Sequence, residues 1–99
     1  MSVSVLLEER LKDGERDGFT AFLTEKFRLT KTFDVFQAID LTYNLEDPNN
    51  WVILELSNSR EDYEKYLKFR QEDGTLDDVA TVCASGPSVR IFEIVDTSL

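Results

Sequence analysis

The strand that begins at Trp51 carries the side chain best placed to do chemistry, the carboxylate of Glu55. Because side chains alternate along a strand, Glu55 shares one face with Trp51, Ile53 and Ser57 and should lie in or beside the interior. Burial among apolar groups raises the pKa of a carboxyl, which can then act as a base toward a phenol or a carbon acid. The alternative is a structural ion pair, for which Arg90 is a candidate partner.

Two tyrosines on the next predicted helix are the second candidates. Tyr63 and Tyr66 point toward the sheet, where a phenol could hydrogen-bond an oxygen of an aromatic substrate, and core packing is the alternative. Leu67 lies on the same helix face. Ser57 lacks a histidine to activate it, so the sequence predicts a small side chain at a pocket wall rather than a nucleophile.

Composition limits the cofactors and partners. The chain has no histidine and one cysteine, Cys83, so the sequence predicts no metal site, no histidine-ligated haem and no internal disulfide, and a buried inert thiol. Nucleotide-binding motifs are absent, and no cofactor is predicted. A formal charge of −9 disfavours nucleic acid and anionic lipid. No stretch of about 18 uncharged apolar residues occurs, so no membrane span is predicted, and a reducing, cytoplasmic location fits.

Hydrophobic periodicity predicts seven elements in one domain that spans residues 1–99. The strands are predicted at 3–9, 33–43, 51–57 and 88–95, with a turn over 45–50. Phe19, Phe22, Leu23 and Phe27 define an amphipathic first helix. The second helix begins at Ser59 and a short third at Thr75. This order predicts an α+β, ferredoxin-like split β-α-β fold with a four-stranded antiparallel sheet.

Apolar residues occupy both alternating sets of strand positions, for example Leu54 and Leu56 opposite Ile53. Helices on one side cover only one face of such a sheet. The sequence therefore predicts a homodimer that buries the second face. Asp40 is predicted to be either a dimer contact or a second acid in the cavity.

Several segments resemble the antibiotic biosynthesis monooxygenase-like domains of the dimeric α/β-barrel group. They are the hairpin at Asp47-Pro48-Asn49, the strand WVILELS with the helix start NSREDYEKYLKFR, and the closing strand GPSVRIF. The resemblance implies a dimer, and the members of this family include cofactor-free oxygenases of quinols and polyketide aromatics, haem-degrading enzymes and proteins of unknown role. Tyr63 falls where some oxygenases of the family carry a functional tyrosine.

The sequence departs from this family at three positions. Ser57 stands where the family usually has Trp, Leu67 where haem-degrading relatives have His, and Val35 where relatives commonly have Gly.

The first functional hypothesis is a cofactor-independent monooxygenase-like protein that binds a small aromatic or quinol-type molecule between sheet and helices. The alternatives are a catalytically silent or engineered variant with a ligand cavity or designed reactive site near Ser57, and a purely structural dimer. The predicted catalytic residues are Glu55 and Tyr63, and the predicted substrate-binding residues are Ser57, Trp51, Ile53, Phe22, Tyr66, Leu67 and Val35.

Overall fold

Four strands and three helices make up the part of the chain that the computed structural model describes, residues 1–97. In chain order they are β1 (Val3–Arg10), α1 (Arg16–Thr30), β2 (Phe36–Asn44), β3 (Asp47–Ser57), α2 (Arg60–Glu72), α3 (Thr75–Thr81) and β4 (Ser88–Glu93). The strands form one antiparallel sheet in the order β2-β3-β1-β4. The predicted α+β, ferredoxin-like split β-α-β fold is confirmed.

The β2–β3 hairpin is tighter than predicted. The chain reverses at Leu45 and Glu46, Asn44 pairs with Asp47, and the Asn44 side chain accepts a hydrogen bond from the Glu46 amide at 2.9 Å. Residues 47–50, predicted to be loop, therefore extend β3 at its N-terminal end. This local side-chain bond lets two residues turn the chain.

The hydrophobic core lies between the sheet and the helices. Phe19 and Leu23 of α1 are buried, as the periodicity predicted, and Phe19 packs against Trp51 with ring centroids 5.1 Å apart. The sheet contributes the alternate residues of its two central strands: Val3, Val5 and Leu7 from β1, and Trp51 and Ile53 from β3. The core side of β3 is therefore the side that also carries Glu55.

The start of α2 is fixed by Ser59, whose side chain accepts a hydrogen bond from the Asp62 amide at 3.0 Å. This is the predicted cap. The ion pairs along the helix are Arg60–Glu64 and Lys68–Glu72. All four of these side chains are exposed, so the choice of partner carries little stability.

The third helix begins at Thr75, and Gly74 rather than the predicted Thr75 is its cap residue. Gly74 takes a positive φ of 86°, and the Asp73 carboxylate accepts a hydrogen bond from the Thr75 amide at 2.8 Å. Val79 is buried on the inward face, whereas Ala80 is exposed. With only seven residues, α3 buries a narrow stripe.

A bulge in β2 moves Phe36 to the helix side of the sheet. Strict alternation predicts Phe36 and Ala38 together on the face opposite Ile39, but the register shifts between Phe36 and Ala38. Phe36 lies opposite Ser57, and its ring packs edge-on against Tyr66 at 4.9 Å between centroids. An additional aromatic ring therefore joins the core.

The sheet face away from the helices has an apolar centre. Leu6 and Leu54 lie side by side there, and Leu54 and Phe92 are each 43% exposed. Asp40 on edge strand β2 lies beside Leu54, and Arg90 on edge strand β4 lies beside Leu6. The uncovered face thus has apolar residues between opposite charges.

Removing the Ser59 cap should destabilise α2. We expect Ser59→Ala to lower the free energy of unfolding by about 1 kcal/mol, because the Asp62 amide loses its partner. Urea unfolding followed by circular dichroism measures the loss. Ser59→Asp supplies another acceptor and should restore most of the stability, and an equal loss in both variants would contradict the capping role.

Candidate functional site

A cavity of about 50 Å³ lies between the sheet and the helices. Since a water molecule in the liquid takes about 30 Å³, this space is of solvent-molecule size. Its walls are mostly apolar. The sheet contributes Leu7, Ile39, Ile53 and Glu55, the helices contribute Leu23, Lys26, Phe27, Tyr63, Tyr66, Leu67, Arg70, Thr75, Leu76 and Val79, and Pro87 precedes β4.

Glu55 is the carboxyl group in this wall. Strand pairing sets it between Val5 of β1 and Ile39 of β2, and it is 8% exposed. Its Oε2 atom is buried without a hydrogen-bond partner in the protein. Burial raises the pKa of Glu55 from 4.5 to about 8, because the apolar surroundings disfavour the charged form. The group is therefore mostly protonated at neutral pH and becomes a base slightly above it.

Tyr63 has a free hydroxyl beside the same cavity. The side chain is 1% exposed, and its hydroxyl oxygen has no hydrogen-bond partner in the protein. Burial, with the nearby Glu55 and Tyr66 adding to it, raises the pKa of Tyr63 well above the usual tyrosine value. The hydroxyl stays protonated at every working pH, so Tyr63 can donate a hydrogen bond to a ligand oxygen.

Tyr66 is engaged within the protein. Arg70 Nε donates to the Tyr66 hydroxyl at 2.9 Å, so the tyrosine proton goes to Thr30 Oγ1, and Thr30 in turn donates to the Lys26 carbonyl at 3.1 Å. The Tyr66 hydroxyl thus accepts one hydrogen bond from Arg70 and donates its proton to Thr30, so its role is to hold the cavity wall in place. The two tyrosines, for which the sequence predicts the same role, therefore differ in the structure: the Tyr63 hydroxyl has no partner in the protein and the Tyr66 hydroxyl has two.

Arg70 joins the C-terminal ends of α1 and α2. Its guanidinium donates to the Lys26 carbonyl at 2.8 Å, to Thr30 at 3.1 Å and to Asp73 at 2.9 Å, and its side chain is 4% exposed. The Asp73 carboxylate neutralises this buried charge. The network holds one end of the cavity wall in a single arrangement.

Lys26 also lines the cavity, and it is half-buried. Its Nζ lies 5.4 Å from the centroid of the Phe22 ring. Phe22 itself lines a separate groove of about 350 Å³ between α1 and α3, together with Phe19 and Val82. Lys26 therefore stands between the cavity and this groove.

The structure brings together five of the predicted site residues, Glu55, Tyr63, Ile53, Tyr66 and Leu67, around the cavity. The other four lie outside its walls. Trp51 is fully buried against Phe19, and Ser57 is fully buried and donates to the Ser59 carbonyl at 2.9 Å. Val35 lies in the turn before β2, where its carbonyl accepts from the Asn58 amide at 2.8 Å.

Three further side chains take defined places. Arg90 is on the outer face, where it bonds Glu8 at 3.4 Å, and so it does not pair with Glu55. Asp40 is exposed on that same outer face, outside the cavity. Cys83 is 3% exposed beyond the end of α3, and burial raises the pKa of its thiol. Among residues 1–97, no group of three potential metal-ligating side chains comes together.

Lys26 and Arg70 were not recognised as site residues from the sequence. Helical spacing could have identified them, because residues four or seven positions apart lie on the same face of a helix. Arg70 lies four positions after Tyr66 and seven after Tyr63, and Lys26 lies four after Phe22.

Replacing Glu55 should stabilise the protein in a defined pH window. Between pH 4.5 and about 8 the unfolded chain ionises Glu55 while the folded chain keeps it protonated, so this group lowers the free energy of unfolding as pH rises. We expect Glu55→Gln to be more stable than the wild type by on the order of 4 kcal/mol at about pH 8 and nearly equal to it at about pH 4. Urea unfolding at both pH values measures the difference. Glu46→Gln at the exposed hairpin is the control, and an equal offset of Glu55→Gln at both pH values would contradict the assignment.

Comparisons with known proteins identify the fold. No family model and no curated protein matches the sequence. Among solved structures, a conserved protein from Methanosarcina mazei superposes with a TM-score of 0.87 at 10% identity, over 96% of this chain and 94% of the other. An antibiotic biosynthesis monooxygenase superposes with a TM-score of 0.83 at 16% identity, over 95% and 99% of the two chains. A Mycobacterium tuberculosis protein superposes with a TM-score of 0.77 at 18% identity over the full length of both. No helix within residues 1–97 has the length and apolar character needed to cross a membrane. Over nearly its whole length, the chain has the fold of the antibiotic biosynthesis monooxygenase-like structures.

Proposed function

We propose that this protein is a cofactor-independent oxygenase of the antibiotic biosynthesis monooxygenase-like family that acts on a small phenol or quinol. The observation that carries the proposal is a buried carboxyl, Glu55, that faces an apolar cavity without a hydrogen-bond partner. The fold shared with a solved antibiotic biosynthesis monooxygenase supports the reaction class. The whole chain would act as one domain.

Three polar groups at the cavity support ligand binding. Glu55 Oε2, the Tyr63 hydroxyl and the Thr75 hydroxyl are each buried without a protein partner. A buried polar atom without a partner costs about 1–3 kcal/mol, and a ligand oxygen within reach recovers that cost. A cavity that has an apolar lining and several unpaired polar groups is typical of a small-molecule site.

The reaction we propose begins with proton transfer. The carboxylate of Glu55 accepts a proton from a quinol hydroxyl, and Tyr63 donates a hydrogen bond to the resulting anion. The electron-rich anion then reacts with O₂. Quinol plus O₂ gives hydroxyquinone plus water, so the substrate supplies all four electrons. The protein contributes the base, the donor and a water-poor pocket.

A ring needs more space than the cavity has, because apolar cavities that bind benzene measure about 150 Å³. Phe27, Leu67 and Leu76 are the part-exposed apolar residues that the three helices contribute to the wall. Rotation of these side chains would open the space. Glu55 and Tyr63 lie deeper, where they would meet the reacting hydroxyl.

Oxygen uptake with a series of substituted hydroquinones tests the function. We expect kcat/KM to rise about tenfold per pH unit below about 8 and to level off above it, because only ionised Glu55 accepts the proton. Of the other titratable side chains at the cavity, Tyr63 and Arg70 keep their protons in this range, because the pKa of each is raised above its usual value. Glu55→Gln should lower the rate by about 100-fold or more, and Tyr63→Phe by about tenfold.

Tyr43→Phe is the matched control, since Tyr43 lies outside the cavity and bonds Thr20. Its rate should equal that of the wild type. Turnover that is absent across the whole pH range, or unchanged in Glu55→Gln, would end the oxygenase proposal.

We further propose that the protein is a homodimer in which the two uncovered sheet faces pack together. The row Asp40, Leu54, Leu6, Arg90 crosses that face from one edge strand to the other. A two-fold axis parallel to the strands brings the β2 edge of one copy over the β4 edge of the other. Asp40 of one copy then meets Arg90 of the other, while the leucines pack at the centre.

The state of association tests this interface. We expect sedimentation equilibrium to give a dimer, and Leu54→Asp to give a folded monomer, because it adds a charge at the apolar centre. Leu45→Asp is the matched control, since Leu45 is fully exposed at the hairpin tip and should leave the dimer intact. A wild-type monomer with native circular dichroism at micromolar concentration would refute the interface.

A further inference from the structure

We propose that Lys26 binds an anionic substituent of the ligand, so that the preferred substrate is a phenol or quinol that carries a carboxylate. This inference rests on the proposed function, since it describes the ligand of the same cavity. It assigns a specificity role to a residue that lies on α1, away from the proton-transfer pair.

The position of Lys26 is the first observation. The residue is half-buried in the cavity wall, and its ammonium lies 5.4 Å from the centroid of the Phe22 ring. Phe22 belongs to the neighbouring groove of about 350 Å³. An aromatic face supports a cation without neutralising it, so the ammonium remains able to pair with an anion.

The charge balance is the second observation. Two cationic side chains line the cavity, and Arg70 is paired with Asp73 at 2.9 Å. Within residues 1–97, no carboxylate comes within salt-bridge distance of the Lys26 ammonium. The chain has 20 acidic residues and a formal charge of −9. A lysine that lacks a carboxylate partner on such an acidic protein is a local positive site.

The size of the cavity is the third observation. The space of about 50 Å³ holds a ring only after Phe27, Leu67 and Leu76 rotate, so the reacting end of the ring lies deepest, beside Glu55. The rest of the ligand must lie outward, toward the part-exposed residues that include Lys26. An anion placed deep in the cavity would be repelled by ionised Glu55, the form that acts as the base, whereas an anion at the part-exposed wall lies on the side of Lys26. The two ends of the ligand are therefore distinguished by charge.

Binding of two matched probes under anaerobic conditions tests the inference without turnover. The probes are 2,5-dihydroxybenzoate and its neutral amide, 2,5-dihydroxybenzamide, and calorimetry measures their affinities. We expect the wild type to bind the acid about 5- to 10-fold more tightly than the amide, the range of a partly screened ion pair. Lys26→Met should abolish this preference while it leaves the affinity for the amide within about twofold.

Two control variants complete the test. Lys26→Arg keeps the positive charge and should keep the preference, and Lys65→Met removes an exposed lysine outside the cavity and should also keep it. Equal wild-type affinity for the two probes, or a preference that survives in Lys26→Met, would overturn the role of Lys26 and leave the oxygenase proposal standing. Failure of both probes to bind would instead overturn the proposed function along with this inference.

Discussion

The antiparallel pairing of β1 with β3 is the constraint on which the rest of the structure depends. It fixes which side chains face the helices, because a slip of one residue would turn every side chain to the other face. With Leu7 opposite Ile53 and Val5 opposite Glu55, one alternate set of apolar residues from both central strands enters the core, while Leu6 and Leu54 lie on the opposite face. The same pairing forces Glu55 inward, since one face cannot bury Ile53 and Ser57 and expose the carboxyl between them.

Burial then determines the chemistry of the cavity. An isolated carboxyl in low dielectric keeps its proton to an unusually high pH, and the pKa of about 8 follows from desolvation alone. The hydroxyl groups around it are not equivalent. Tyr66 is engaged by Arg70 and Thr30, so it braces the wall, while Tyr63 keeps a free donor. A preorganised site requires such an arrangement, in which a side chain fixed by hydrogen bonds, here Tyr66, lies beside a donor that is free to bind a ligand, here Tyr63.

Sequence reasoning predicted the fold and the inward face of β3 because both depend on periodicity. The helix order, the core side of α1 and the Ser59 cap were local patterns, and the structure has them. Depth within the core was not predictable in this way. Ser57 and Glu55 share a face of β3, yet Ser57 is fully buried and donates a hydrogen bond to the Ser59 carbonyl, while Glu55 lines the cavity.

The facing of Phe36 and the placement of Arg70 could not be predicted from the alternation of side chains along a strand or from helical periodicity. The bulge before Ala38 adds one residue to β2 and reverses the facing of Phe36. The placement of Arg70 depends on acceptors from two helices, the Lys26 carbonyl and the Asp73 carboxylate, that are 44 and 3 positions away from it. Contacts between two helices, such as those of Arg70, are determined by tertiary packing. The sequence pattern of a single helix predicts only which of its faces points inward.

The buried carboxyl of Glu55 also bears on how this sequence can evolve. A group that weakens its own fold near neutral pH is under steady pressure to be replaced, since glutamine would fill nearly the same volume without the cost of ionisation. Lineages that no longer need the acid should lose it early, while the apolar residues around it persist for packing. An acid at this position in a descendant is therefore a marker of selection for the carboxyl group itself, and an amide there is a marker of selection for packing alone.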